Sequence, residues 1–314
     1  IAEQFRREYG LAVAPESNVI VTVGGMEALY LSLRCLIDPG DEVIIPGPYY
    51  VNYVQMVRSC RGVPVIVNTT EESGFTVTAE QIYNAITPKT AAMILNSPCN
   101  PSGRVMRHDT LQRIAELANR YDFAVISDEV YKTLIFNGCP HESIVVFPGM
   151  MERTVVVDSL SKRFAMTGYR AGYAIGPESV IADMTKLQEN VAACASLPSQ
   201  SAGIAAYRHC AEKHKIRDVF EHRCRSMCRA INQIDKLFCP EPEATFYLFV
   251  NIGRTGMDSL TFAHQLLEKQ HVAVVPGAAY GNHYNDHIRI ACTLDEKKLL
   301  EACGRIKKFV DGIV

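Results

Sequence analysis

A primary amine and a guanidinium eight residues apart, Lys162 and Arg170, sit in SLSKRFAMTGYR (159–170), directly behind the apolar, β-branched run TVVVD (154–158). An amine held at a strand tip can bond covalently to a carbonyl and then carry a proton, and a guanidinium close behind can neutralise an anion. Alone, each is an ordinary loop cation. What decides between the two is what else arrives at the same place. In open α/β sheets ligands collect outside the carboxyl ends of the strands, so the residues that follow each apolar run are the candidates.

After VIVTV (19–23) come Gly24, Gly25 and Met26, then a helical pattern. Unobstructed N–H groups at a helix start suit a phosphate, although a glycine pair there also makes any tight turn. After EVIIP (42–46) comes GPYYVNY, whose Tyr50 can stack on a ring or sit at the rim. After AAMIL (91–95) comes NSPCNPSG, where Asn100 can donate through its amide. After FAVIS (123–127) comes Asp128 and, three residues on, Tyr131. A carboxylate ending an apolar strand is costly to ionise unless a cation meets it. Ser159 and Ser161 add hydroxyls beside Lys162.

Taken together these residues make a phosphate cradle, a ring platform, an amide and a phenol, a buried acid and an amine. Pyridoxal 5'-phosphate asks for each. Its pyridine nitrogen needs an anion, Asp128, to stay protonated, and its phenolic oxygen needs donors, Asn100 and Tyr131. Its ring needs a face, Tyr50. Its phosphate needs the helix-start N–H groups at 24–26, the serine hydroxyls and Arg170. Its aldehyde needs Lys162 for a Schiff base. No G-x-G-x-x-G occurs, which disfavours a dinucleotide.

The elements that must position these residues follow from the apolar pattern. Seven short runs (19–23, 42–46, 63–67, 91–95, 123–127, 154–158 and 170–175) alternate with helical stretches such as 26–36, 78–86 and 108–121. Continuously apolar strands alternating with helices predict an α/β fold, a mostly parallel seven-stranded sheet covered on both faces. After Pro198 one long helix is expected to about Ile234, its basic middle KHKIR (213–217) a solvated face interleaved with acids. Runs at 245–252, 271–276 and 287–293, a helix at 258–269 and a terminal helix predict a smaller α+β unit. The expected division is a large domain over 1–215 and a small one over 216–314, bridged by the long helix.

Bulk properties narrow the partners. With 314 residues and a formal net charge of -2, neither nucleic acid nor an anionic membrane is indicated. No apolar run reaches the roughly 18 residues of a membrane span. The 11 cysteines are scattered through apolar segments of a chain too long to need staples. They read as reduced thiols of a cytoplasmic protein. His222, Cys224 and Cys228 cluster on one predicted helix, but no second ligand pair follows at zinc-type spacing, so no metal is assigned. The chain opens at Ile1 inside the helical stretch IAEQFRREYG, and further residues are expected to precede it.

The chain resembles the fold-type-I pyridoxal-phosphate enzymes of the aspartate aminotransferase superfamily, class I/II, over nearly its whole length. The resemblance is carried by GGMEAL (24–29), PGPYYVNY (46–53), NPSG (100–103), SDEVY (127–131), SLSKRFAMTGYRAGY (159–173) and HIRIA (287–291). It implies that Lys162 is the Schiff-base lysine, that Asp128 partners the pyridine nitrogen, and that Tyr131 and Asn100 serve the ring oxygen. Gly24, Gly25, Met26, Ser159 and Arg170 match phosphate binders. Arg289 matches the arginine that grips a substrate α-carboxylate, with Asn100 beside it. A guanidinium between Ile288 and Ile290 is also physically suited to face a cleft and meet a carboxylate. The implied activity is transfer of an amino group between an L-amino acid and a 2-oxo acid, in a homodimer with active sites at the subunit interface.

Two departures matter. Tyr50 stands where aspartate-specific relatives usually carry tryptophan, so aspartate specificity is not implied. The family's N-terminal part, with its mobile segment and a tyrosine that reaches the neighbouring subunit's phosphate, has no counterpart before Ile1. Two other classes share the cofactor pattern: a β-eliminating C–S lyase and a non-catalytic regulatory domain. AMTGYR (165–170) is closer to the aminotransferase branch.

Overall fold

The structure, a computed structural model, describes residues 1–136, 138–210 and 213–313. Its main sheet is built from β1 (Val19–Thr22), β2 (Glu42–Pro46), β3 (Val63–Val67), β4 (Thr90–Asn96), β5 (Ala124–Asp128), β6 (Thr154–Ser159) and β7 (Gly172–Ile175). The order is β1-β7-β6-β5-β4-β2-β3. β7 runs antiparallel to both β1 and β6, and the remaining neighbours are parallel. All seven expected runs are strands, within a residue or two at their ends. β7 starts at Gly172 rather than at 170 because Arg170 takes a left-handed conformation, φ 50°.

The central strands are apolar on both faces because helices cover both. Met93, Val125, Ile126, Val155, Val156 and Val157 are fully buried. Among the described residues the α-helices up to the second sheet are α1 (Ala2–Tyr9), α2 (Gly24–Leu36), α3 (Asn52–Ser59), α4 (Ala79–Ala85), α5 (His108–Tyr121), α6 (Leu160–Arg163), α7 (Glu178–Val191), α8 (Leu197–His209) and α9 (Lys213–Ile231). α5 buries Leu111, Ile114, Ala115 and Ala118, a three-four spacing that lays one stripe on the sheet. α2 packs across β5, β6 and β7 on the opposite face. α3 was not anticipated, because its first residues lie in the aromatic GPYYVNY stretch.

Two expectations about the C-terminal third are corrected. The single long helix after Pro198 is two, α8 ending at His209 with Cys210 as its cap and α9 beginning at Lys213. The expected strand at 271–276 shrinks to β9 (Val275–Pro276), because it pairs with β10 over only two positions, one of them Pro276. β8 (Tyr247–Asn251), β9 and β10 (His287–Ala291) form a second sheet in the order β8-β10-β9, with α10 (Ser259–Gln270) and α11 (Glu296–Asp311). α9 packs on α11 and β8. Within KHKIR the side chains of Lys213 and His214 lie outside the described residues, and Arg217 pairs with Asp218. His222 is exposed and bonds Glu296 at 3.0 Å, while Cys224 and Cys228 are buried in the core of this unit, so the three do not converge. All 11 cysteines are free. Among the described residues no helix is long and apolar enough to cross a membrane.

Candidate active site

The register explains why the residues following the strands meet. In the parallel ladder Asn96, the last residue of β4, stands beside Asp128, the last of β5. Asp128 pairs with Val157 two residues before the end of β6, and Ser159 faces Gly172 at the start of β7. Gly172 also faces Thr22 at the end of β1. Four carboxyl ends and the beginning of one antiparallel strand therefore open on one cavity, of about 240 Å³. Asp128 and Lys162 both line it, as do Gly25, Met26, Tyr50, Asn100 and Tyr131. Ser159, Ser161 and Arg170 line its other side.

At the β1–α2 turn, Gly24 takes φ +75° and α2 starts without a side-chain cap, so its first N–H groups are unspent. A Cβ on Gly24 would meet Arg170 Nη2 at 2.5 Å, which places the guanidinium against the helix start. Gly172 is tighter still: a Cβ there would lie 2.5 Å from the Gly24 carbonyl carbon and 2.6 Å from Gly25 N. Backbone cannot give as a side chain can. Gly172→Ala is therefore expected to lower stability by about 1–3 kcal/mol and to weaken phosphate binding. Thermal unfolding and titration with inorganic phosphate check this. Ser159 caps α6: its Oγ accepts from Ser161 N at 3.1 Å and donates to the Ala171 carbonyl at 3.2 Å.

Asp128 is buried at 4 % exposure and accepts from Tyr53 Oη at 2.5 Å and Val130 N at 3.3 Å. Burial pushes its carboxyl up to about 6, and the neighbouring acids Asp158 and Glu129 add to this against those two hydrogen bonds. Among the described residues no cation forms an ion pair with it, so the anion faces the cavity with a charge to be met. Lys162 Nζ lies 5.2 Å from the Phe246 ring centroid and 5.8 Å from that of Tyr131. Burial pulls its amine below the usual lysine range, with help from Arg170 and then Arg289.

Arg289 reaches the site from the other sheet. Its Nη1 donates to Asn100 Oδ1 at 3.0 Å, and its guanidinium carbon lies 4.1 Å over Tyr247 and 5.3 Å from Tyr280. Arginine only donates, so the contact fixes the Asn100 amide with its oxygen toward Arg289 and its N–H₂ free for the cavity. Arg289 Nε is buried without a partner. Tyr131 Oη donates to Tyr247 Oη at 3.2 Å. Tyr50 packs edge-on to Tyr53, ring centroids 5.5 Å apart.

Sequence reasoning had passed over Tyr53, Asn96 and Tyr247. Asn96 shared the signal that singled out Asp128, the position at a strand end. Tyr53 is three residues from Tyr50, but a helical spacing carries weight only once α3 is recognised. Tyr247 had no local signal, since it reaches the site by tertiary packing of the second sheet.

Comparison with known proteins agrees with this geometry. The family model for aminotransferase class I and II matches residues 1–306. An aspartate aminotransferase of Bacillus subtilis is 38 % identical over 318 residues, covering 99 % of this chain and 80 % of the relative. An aromatic-amino-acid aminotransferase 2 of Thermococcus litoralis is 33 % identical over 313 residues, again 99 % of this chain and 80 % of the relative. The crystal structure of an aromatic aminotransferase from Pyrococcus horikoshii superposes with a TM-score of 0.95 at 34 % identity, covering 99 % of this chain and 84 % of that one. With matching sequence, matching fold and a cavity of this composition at the strand ends, the chain belongs to the class I and II aminotransferases, enzymes that transfer amino groups with pyridoxal phosphate.

Proposed function

We propose that Lys162, Asp128 and Arg289 divide amino-group transfer between an L-amino acid and a 2-oxo acid, Lys162 moving the proton, Asp128 holding the cofactor's ring charge and Arg289 the substrate. The observation that carries this is the convergence of a cation-free buried carboxylate and an amine of lowered basicity on one cavity, with a guanidinium at its edge.

The residues present fit pyridoxal phosphate. The uncapped start of α2, the Gly24 and Gly172 backbone and Arg170 fit a phosphate. The Asp128 carboxylate, oriented by Tyr53, fits a protonated ring nitrogen. Asn100 offers a donor for the ring oxygen, Tyr131 a second once its hydroxyl turns from Tyr247, and Tyr50 an aromatic face. Bound there, the cofactor supplies a carbonyl to receive the amino group and a ring to delocalise the electrons of the Cα–H bond. Arg289, a planar fork stacked on Tyr247, orients the substrate by its α-carboxylate. Lys162, its basicity lowered by burial, would take the Cα proton and return it across the nitrogen, to the carbon that had carried the carbonyl oxygen. The same side chain is also the covalent tether between turnovers.

Asp128 gives this assignment a pH signature. Its carboxyl titrates near 6 in the free site, so below that pH cofactor binding must first expel a proton. Affinity for pyridoxal phosphate should fall about tenfold per pH unit below 6. In Asp128→Asn the affinity is lower at neutral pH, and that component of the slope is absent. Equilibrium titrations of both proteins between pH 5 and 8 make the comparison. Equal slopes would refute the role given to Asp128.

The donor is proposed to be an α-amino acid in the range that the names of the relatives span, aspartate to aromatic. Mixing the cofactor-loaded protein with single amino acids and following visible absorbance tests this. Release of the matching 2-oxo acid supports amino transfer, whereas ammonia release would mark a β-eliminating lyase. We further propose a cytoplasmic homodimer, with domains 1–215 and 216–314 flanking the cavity. The scatter of free cysteines through apolar segments supports the compartment, and a hydrophobic core built mostly from residues 224–310, joined by Tyr131, Leu134 and Phe136, supports the division.

A further inference from the structure

Behind the cavity, four cofactor-side residues each have an immediate neighbour in sequence that points away into one buried ion cluster. Asp128, Tyr131, Ser159 and Lys162 line the cavity, and Glu129, Lys132, Asp158 and Arg163 form the cluster. Four of the five members are almost wholly buried, with side-chain exposure of 5 % for Lys132, 2 % for Arg163 and 1 % for Asp158 and Glu129, while Glu8 is 22 % exposed. Arg163 Nη2 reaches Asp158 Oδ2 at 3.1 Å and Glu8 Oε1 at 2.9 Å. Lys132 Nζ reaches Asp158 Oδ2 at 3.3 Å, Glu8 Oε2 at 3.1 Å and Glu129 Oε2 at 3.6 Å. Glu8 thus bridges both cations from α1, a helix whose only fully buried residue is Phe5. Tyr9 donates to Glu129 and accepts from Lys132 at 3.0 Å, and Tyr173 donates to Asp158 at 2.7 Å.

Such a cluster is a poor way to gain stability, since desolvating five charges cancels most of their attraction. It is a good way to hold geometry. α6 has four residues, so consecutive side chains diverge by about 100° and clamping Arg163 on one side fixes the rotation of Lys162 on the other. The turn that carries Lys132 fixes Tyr131 in the same way.

We infer that Arg163 and Lys132, tied together by Glu8 and Asp158, are positioning residues that orient Lys162 and Tyr131 toward the reacting atoms. This rests on the roles proposed above for Lys162 and Tyr131. Burial opposes every charge in the cluster, yet the opposite charges hold Lys132 above its usual range and Glu8 and Asp158 below theirs, so the ties persist at neutral pH. With three acids against two bases, losing Arg163 leaves excess negative charge behind the amine and raises its affinity for a proton.

The test uses the cofactor-loaded full chain. Arg163→Met should lower kcat about 10- to 100-fold, the scale of a slightly misplaced catalytic group, with KM within about twofold. The midpoint of the pH titration of the bound cofactor's visible absorbance should move upward. Arg163→Lys should restore part of kcat. If Arg163→Met does not fold, Tyr9→Phe, which removes one hydroxyl from the cluster's edge, should give a smaller change in kcat and midpoint with KM unchanged. A variant of either kind with only a lower Tm, and kcat and midpoint as in the parent, would overturn the positioning role. A Lys162→Ala protein that keeps the visible band would instead overturn the assignment of Lys162 itself, so the two failures are distinct.

Discussion

Lys162→Ala should abolish the visible absorbance of the cofactor-loaded protein and lower the transamination half-reaction on the order of 10⁴-fold, the upper end for a positioned acid–base group. The loss is this large because one side chain is proposed to be both tether and proton carrier. Its amine already lies below the usual lysine range through burial and the nearby Arg170 and Arg289 charges, which eases its deprotonation. Among the described residues no other side chain lining the cavity is an amine. Asp128, Arg170 and Arg289 are untouched by the change, so the phosphate and the amino acid should still bind. Spectra of the loaded variant together with rapid-mixing kinetics make the measurement. Retained turnover with a retained band would remove Lys162 from the mechanism.

Arg289→Met should lower kcat/KM for amino acids about 10²- to 10³-fold, equivalent to roughly 3–4 kcal/mol for a charge-assisted pair lost from a partly desolvated site. The substitution removes the fork proposed to hold the α-carboxylate and leaves Asn100 Oδ1 without its 3.0 Å donor. The asparagine amide is then free to rotate, so part of the effect should appear in kcat. Arg289→Lys keeps a charge but neither the fork nor the stack on Tyr247, and should recover only a minor share. Simple amines, which have no α-carboxylate, are the control: their much slower reaction should be nearly indifferent to the change. An equal loss for amines and amino acids would show that Arg289 supports the fold of the site and does not hold substrate.

Much of the site was legible because a covered, mostly parallel sheet writes itself as continuous apolar runs, and residues at the carboxyl ends of such runs have few other places to go. Asp128, Lys162 and the Gly24–Gly25 turn were candidates on that basis, and gained meaning only when taken together. α3 was hidden by aromatics that read as a loop, and with it Tyr53. The division of the expected long helix at Cys210 has no glycine or proline nearby to mark it, and the near absence of β9 follows from its pairing with β10 over only two positions.

From the amino-acid order came the succession of strands and helices and the chemical types at the strand tips, since these depend on periodicity and on neighbours within a few residues. Tertiary structure alone decided that Arg289, 189 residues from Asn100, bonds it; that Tyr53 orients Asp128; and that Glu8 ties Lys132 to Arg163. The reason is physical. A hydrogen bond or ion pair is set by where two side chains meet in three dimensions, and contacts between residues so distant in the chain leave no periodic trace in it.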